Sequence, residues 1–228
     1  ALDLKAEGVG LYRSEFPFLI RTSFPTENEQ YQIYRRLLAD APGAEVTFRT
    51  LDIGGDKLLS YSDLETGDNP ALGLRSIRFS LKHTGIFKQQ LRAILRAAAD
   101  FDNLRIMFPL ISSLEEFRSA RNLVDECRAE LGLGGVPHHA APQVGMMIEL
   151  PAVVEIMPEL SREADFFCIG TNDFVQYLLG VDRTNAQMAS YYRPGHPAVL
   201  RAIKRISDAC LASGKELSVC GEIDRKSV

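Results

Sequence analysis

Six apolar runs of strand length recur along the chain, separated by segments of helical periodicity, and that order leaves few architectures open. The runs are VGLYR (9–13), EVTFRTLDI (45–53), LRIMFPL (104–110), VGMMIEL (144–150), DFFCIG (165–170) and LSVCG (217–221). Their hydrophobicity is nearly continuous instead of alternating, the pattern of parallel strands covered on both faces. Between them, TENE from Thr26 and SLEE from Ser113 read as capping boxes, and Pro151 suits the first turn of a helix. Residues 197–213 predict a helix with Val199, Leu200, Ile203, Ile206 and Cys210 on one side, stopping at Gly214 as a C-terminal cap. Alternation of strand and helix specifies a parallel α/β fold, either an open doubly wound sheet or a (β/α)8 barrel.

The chain has 228 residues, 46% of them hydrophobic, enough for a sizeable core in one large domain or two small ones. Its two longest predicted loops, YSDLETGDNPALG (61–73) and GLGGVPHHAAPQ (132–143), are rich in turn formers but do not read as domain linkers, so one domain over 1–228 is expected. The net charge of −4 is spread without long runs, which gives no footprint for nucleic acid or an anionic membrane surface. No apolar stretch nears the roughly 20 residues that span a bilayer, and ALDLKAEGVG lacks the regions of a signal peptide, so a cytoplasmic location is the simplest expectation. Cys127, Cys168, Cys210 and Cys220 form no CxxC pair, which argues against a structural zinc or a disulfide framework. Burial among apolar neighbours accounts for the first three.

Polar groups gather where the apolar runs end: Arg13 and Glu15, Arg49 and Asp52, Glu149, then Thr171, Asn172 and Asp173, then Cys220 and Glu222. Each has an ordinary explanation. An arginine closes an ion pair, Glu149 favours a helix start, Asn172 and Asp173 cap a helix, and Cys220 is one more buried thiol. In a parallel barrel, however, all C-terminal strand ends open onto one face, so these groups are expected to converge there. Arginine forks match phosphate and carboxylate oxygens, and Arg13, Arg49, Arg75 and Arg183 suit a small phosphorylated carboxylic acid. Glu149 and Asp173 suit Mg²⁺, which takes one or two protein carboxylates and leaves its remaining positions to water and substrate oxygens. A cysteine facing such a site could supply or remove a proton at carbon.

Taken together, LYRSEFPF, RTLDIGGDK, NPALGLRSIR, LRIMFPL, IELPA, GTNDFVQYLLGVDR and CGE resemble, in order, the phosphoenolpyruvate-binding barrel of phosphoenolpyruvate-protein phosphotransferase, Enzyme I of the bacterial phosphotransferase system. LYRSEFPF followed by FPTENEQ looks closer to the nitrogen-branch paralogue than to the sugar-transporting enzyme. The resemblance implies that arginines matching Arg13 and Arg49 grip the phosphate while those matching Arg75 and Arg183 complete the anionic pocket. It implies Mg²⁺ on Glu149 and Asp173, a substrate-contacting amide at Asn172, and Cys220 as the acid that protonates the methylene carbon so that pyruvate leaves. It also implies that the phosphoryl group passes to a histidine of a separate N-terminal domain and then to a small histidine-containing carrier protein. None of His83, His138, His139 and His196 lies in the family's phosphohistidine context. The family barrel has eight strands against about six here, so an incomplete barrel with two exposed edges is expected, and with it an oligomer such as a homodimer, a strand-exchanged assembly or a poorly stable fragment. IDRKSV after CGE departs from the family's continuation. Two other readings stand beside this one: the related barrel of pyruvate phosphate dikinase or phosphoenolpyruvate synthase, and a binding or regulatory module without turnover.

Overall fold

A computed structural model describes residues 7–54, 69–102 and 104–223. The fold is α/β, with six strands among the described residues and two compact units, Ala1–Phe108 with Arg118–Gln143, and Pro109–Phe117 with Val144–Val228. Most of the predicted loop at 61–73, and the departing tail from Asp224 onward, lie outside the described residues.

In the first unit, β1 (Gly8–Arg13) leads through the short α1 (Phe16–Leu19) to α2 (Glu27–Ala39), then β2 (Glu45–Arg49), α3 (Ser76–Lys82), α4 (Thr84–Ala97) and β3 (Leu104–Phe108). Most of α5 (Leu114–Leu133) also belongs to it. β2 pairs in parallel with β1 and β3, and the register sets Arg13 beside Arg49 and Arg49 beside Met107. The capping box at α2 forms as read: Thr26 Oγ1 accepts the Glu29 N–H, and the Glu29 carboxylate accepts the Thr26 N–H at 2.8 Å. At α5 the box slips by one residue. Ser113 Oγ accepts the Glu116 N–H, while the Glu116 carboxylate reaches Ser112, taking both its N–H and its hydroxyl. Phe18, Leu51, Ile53 and Phe79 form a buried cluster beneath the ends of β1 and β2.

The second unit runs β4 (Gln143–Ile148), α6 (Ala152–Glu155), α7 (Met157–Leu160), β5 (Phe166–Gly170), α8 (Thr171–Leu179), α9 (Pro197–Ser213) and β6 (Glu216–Cys220). β5 pairs in parallel with β4 and β6, which sets Ile148 beside Ile169 and Gly170 beside Cys220. α9 starts and stops as predicted, and its last turn closes at left-handed Gly214. Its buried stripe is Val199, Ala202, Ile206 and Cys210, with Leu200 exposed, a rotation of the predicted face by about one residue.

Continuous apolar character translates into burial for the inner strands; every residue of β5 is buried, as are four of the five in β2. In β1 and β6 no residue is fully buried. Each pairs with one neighbour among the described residues, so side chains that read as core from their hydrophobicity are only partly covered. Cys127, Cys168 and Cys210 are buried as expected, and Cys220 is half-buried. No helix among the described residues is long and apolar enough to cross a membrane.

Candidate functional site

The C-terminal ends of β1 and β2 carry a compact cluster of three arginines and two carboxylates. Arg49, the last residue of β2 and only 6% exposed, lies between Glu15, with which it makes a close ion pair, and Asp52, 3.0 Å away. Asp52 also takes Arg75 Nη2 at 3.2 Å and the Ser76 hydroxyl. Arg75 is 4% exposed and occupies the N-cap position of α3. Arg13 differs: its side chain is 60% exposed, and its Nε lies 3.7 Å from Glu15. The ion-pair explanation of Arg49 and Arg75 therefore holds in part, since both guanidiniums rest on carboxylates. Among the described residues, the three guanidiniums of Arg13, Arg49 and Arg75 thus lie close to the two carboxylates of Glu15 and Asp52, and guanidinium groups are of the type that binds an anionic ligand. Burial strengthens each pair but makes it depend on its partners, because an uncompensated buried charge is strongly unfavourable.

The second unit gathers the other candidates. Glu149, just past β4, is buried, and its Oε2 accepts the Leu110 N–H at 2.8 Å. It sits against Gly170, where an added Cβ would lie 2.7 Å from Glu149 Cγ and 2.8 Å from Oε1, so only a glycine admits the carboxylate there. Thr171, Asn172 and Asp173 open α8, with Gly170 at the N-cap. Asn172 and Asp173 are therefore not caps but first-turn residues, a place where an acidic side chain also benefits from the helix dipole. Asp173 is buried and paired with Arg183 Nη2 at 3.1 Å. Gly170 pairs with Cys220 across the β5–β6 ladder. The chain after Cys220 is then clamped onto the start of α8. Thr171 Oγ1 donates to the Cys220 carbonyl at 2.8 Å, and the Glu222 N–H donates to Asn172 Oδ1 at 2.9 Å. Gly221 makes the turn with φ of 105°, tight against Thr171 and Asn172. Asn172 thus spends its carbonyl oxygen on Glu222, which directs its amide N–H group toward any ligand role.

Burial pushes the Cys127 thiol up to about 12 and the Cys210 thiol up to about 11, so neither is a candidate nucleophile or acid. His196 caps α9 by accepting the Ala198 N–H, and His139 Nδ1 accepts the Ala141 N–H. Burial lowers the pKa of His139. Among the described residues, no three or more His, Cys, Asp or Glu side chains gather as a metal-holding group. Glu149 and Asp173 are both buried carboxylates, the ligand type that Mg²⁺ takes singly or in pairs.

Sequence reasoning missed the supporting residues. Leu110 and Ser76 are the two non-glycine residues with left-handed backbones among those described, with φ of 54° and 52°. Both donate to a site carboxylate, Leu110 to Glu149 and Ser76 to Asp52. Glycine or asparagine normally announces that conformation, and neither stands at these positions. Glu15 and Asp52 were visible only as strand-end carboxylates, and nothing in their spacing assigns them to Arg49 and Arg75.

Residues 1–227 match the family described as PEP-utilising enzyme, PEP-binding domain. A protein of Streptococcus equinus named phosphoenolpyruvate-protein phosphotransferase is 46% identical over 98% of this chain and 39% of its own length. One of the same name from Geobacillus stearothermophilus is 45% identical over 98% of this chain and 38% of its own length. The chain thus spans about two fifths of the curated relatives it matches. Among solved structures, a citrate lyase of Burkholderia xenovorans LB400 aligns with a TM-score of 0.49 at 17% identity, over 92% of this chain and 61% of that one.

Proposed function

The chain belongs to the PEP-utilising enzymes, through their PEP-binding domain, and from that premise we propose that it binds phosphoenolpyruvate together with Mg²⁺ and supports phosphoryl transfer to a protein histidine. The receiving histidine lies in a separate domain, from which the group passes to a small histidine-containing carrier, and pyruvate is released. The relatives' shared name, phosphoenolpyruvate-protein phosphotransferase, supports a protein acceptor over a nucleotide.

The observation that carries the reading is the buried pair Arg49 and Arg75 at the end of β2, held ready by Glu15 and Asp52. Two guanidinium forks held in place beforehand lower the ordering cost of holding a phosphate. Arg13, at the adjacent strand end and largely exposed, adds a third cation, and Arg183 is the fourth arginine assigned to the anionic substrate. Glu149 and Asp173 would hold Mg²⁺, which when bound neutralises charge on the transferring group. Asn172 offers its amide N–H group to the substrate. As the P–O bond breaks, its electron pair stays with the enolate oxygen. The Cys220 thiol then gives its proton to the methylene carbon, forming pyruvate and leaving a thiolate. The working protein is a homodimer in the cytoplasm.

Calorimetry of the chain with phosphoenolpyruvate and Mg²⁺ tests the binding reading. Arg49→Ala, which deletes a charge-assisted contact worth about 1.5 to 3 kcal/mol, is expected to weaken affinity by roughly ten- to more than a hundredfold. Absence of binding in a folded sample refutes it. In the full-length enzyme, Cys220→Ala should spare binding and suppress pyruvate formation; an unchanged rate removes the proton-donor role.

A further inference from the structure

Where the ladder between β1 and β2 ends at Arg13 and Arg49, one side chain from another element takes over the task of holding the two segments together. Gln90, on α4 and 1% exposed, accepts the Leu51 N–H on Oε1 at 2.8 Å and donates from Nε2 to Ser14 Oγ at 3.0 Å. Ser14 and Leu51 immediately precede Glu15 and Asp52, the carboxylates that bracket Arg49 and anchor Arg75. We propose that Gln90 is a positioning residue for the arginine cluster: its buried carboxamide sets the spacing of Glu15 and Asp52, and through them the placement of the two guanidiniums.

An amide supplies both an acceptor and a donor. A backbone N–H can only donate, so the oxygen of Gln90 must face Leu51 and its nitrogen must face Ser14. The same nitrogen also reaches Tyr34 OH at 3.3 Å. Tyr34 passes its own proton to Gln30 Oε1 at 3.1 Å, and Gln30 donates to the Pro25 carbonyl at 2.9 Å. Gln30 and Tyr34 are fully buried, so this chain holds the amide from α2, while the Tyr34 ring packs edge-on against Tyr12 and Phe48, the residues before Arg13 and Arg49. A buried polar network satisfied in this way rigidifies what it touches, and sub-ångström placement of binding groups is worth large factors in affinity and rate. The inference rests on the proposed phosphoenolpyruvate reading for its ligand, but not for its geometry.

The test compares Gln90→Met, Ser14→Ala and Tyr34→Phe by calorimetry with phosphoenolpyruvate and Mg²⁺ and by ¹⁵N NMR of the arginine side chains. Gln90→Met should shift the Arg49 and Arg75 guanidinium resonances and weaken affinity by about tenfold or more. Tyr34→Phe keeps the ring against Tyr12 and Phe48 and leaves both bonds from Gln90 to the strand ends, removing only the hydroxyl, so it should lower stability and move both readouts much less than Gln90→Met. Unmoved resonances in Gln90→Met, or equal changes in Tyr34→Phe, overturn the proposal. Should Gln90→Met fail to fold, Ser14→Ala decides in its place, since it deletes only the bond to the β1 segment. A wild-type chain that binds no phosphoenolpyruvate refutes the functional reading, and the resonances still decide the role of Gln90.

Discussion

Replacing Gly170 by alanine puts one methyl group into the space that the Glu149 carboxylate occupies. The new Cβ would lie 2.7 Å from Glu149 Cγ, 2.8 Å from Oε1 and 2.9 Å from Met147 Sδ, against the 3.4–4 Å of ordinary contact. The strand backbone at residue 170 is held by its pairing with Cys220 of β6, so the Glu149 carboxylate, the end of a flexible side chain, gives way instead. Moving it breaks its bond to the Leu110 N–H, a charge-assisted contact worth about 1.5 to 3 kcal/mol, on top of about 1 to 3 kcal/mol for overpacking. The reduced freedom of the unfolded chain returns only about 0.4 to 1 kcal/mol. A net loss of about 3 kcal/mol is expected, which for a chain of this size lowers the unfolding midpoint by roughly 6 to 12 °C. Because Glu149 is a proposed Mg²⁺ ligand, affinity for the ion should fall by about tenfold or more. Thermal unfolding followed by circular dichroism, with and without Mg²⁺, measures both effects. A midpoint within about 1 °C of wild type would refute the reasoning, since it would mean that the carboxylate does not lodge against residue 170.

Asp52→Asn leaves the buried guanidiniums of Arg49 and Arg75 short of their shared anion, and should cost about 3 to 5 kcal/mol in urea unfolding; a loss under about 1 kcal/mol contradicts the buried ion-pair account. The Thr26 N–H, the Thr26 hydroxyl and Arg21 together hold the Glu29 carboxyl down to about 2, against an ordinary value near 4.5. That depressed pKa contributes stability present above pH 4.5 and lost as pH falls toward 2, so Glu29→Gln should flatten the acid limb of stability between those values; parallel curves for variant and wild type refute it. Iodoacetamide on the native chain should modify Cys220 first, since Cys127, Cys168 and Cys210 are buried, and equal labelling of all four by peptide mapping would contradict the burial pattern.

Much of the architecture was legible because it is written in short-range pattern. The capping box at Thr26, the span of α9 and its stop at Gly214 depend on residues within a few positions of one another, and all three appear in the structure. The predicted strands start within a residue of the observed ones; β1 and β5 also end as predicted, while the other four predictions overrun the observed ends. EVTFRTLDI reads as one run to residue 53, yet β2 stops at Arg49, because beyond Thr50 the chain leaves the ladder and the Leu51 N–H turns to Gln90. LRIMFPL similarly stops at Phe108, where Pro109 offers no N–H to a ladder.

The candidate residues were named by their chemistry and their place at strand ends, but their partners lie far away in the chain. Glu15 and Arg49 are 34 positions apart, Asp52 and Arg75 are 23, Leu110 and Glu149 are 39, and Ser14 and Gln90 are 76. By itself, the order of apolar runs, caps and motifs determined the α/β class and the family, since periodicity and short-range hydrogen bonding are properties of neighbours. Only the tertiary structure decided which carboxylate holds which arginine, that two left-handed residues donate to site carboxylates, and that a helix glutamine ties two strand ends together. Those pairings exist only after βα crossovers have carried distant segments back alongside one another, and a buried charge or amide then takes the partners that the returning chain provides.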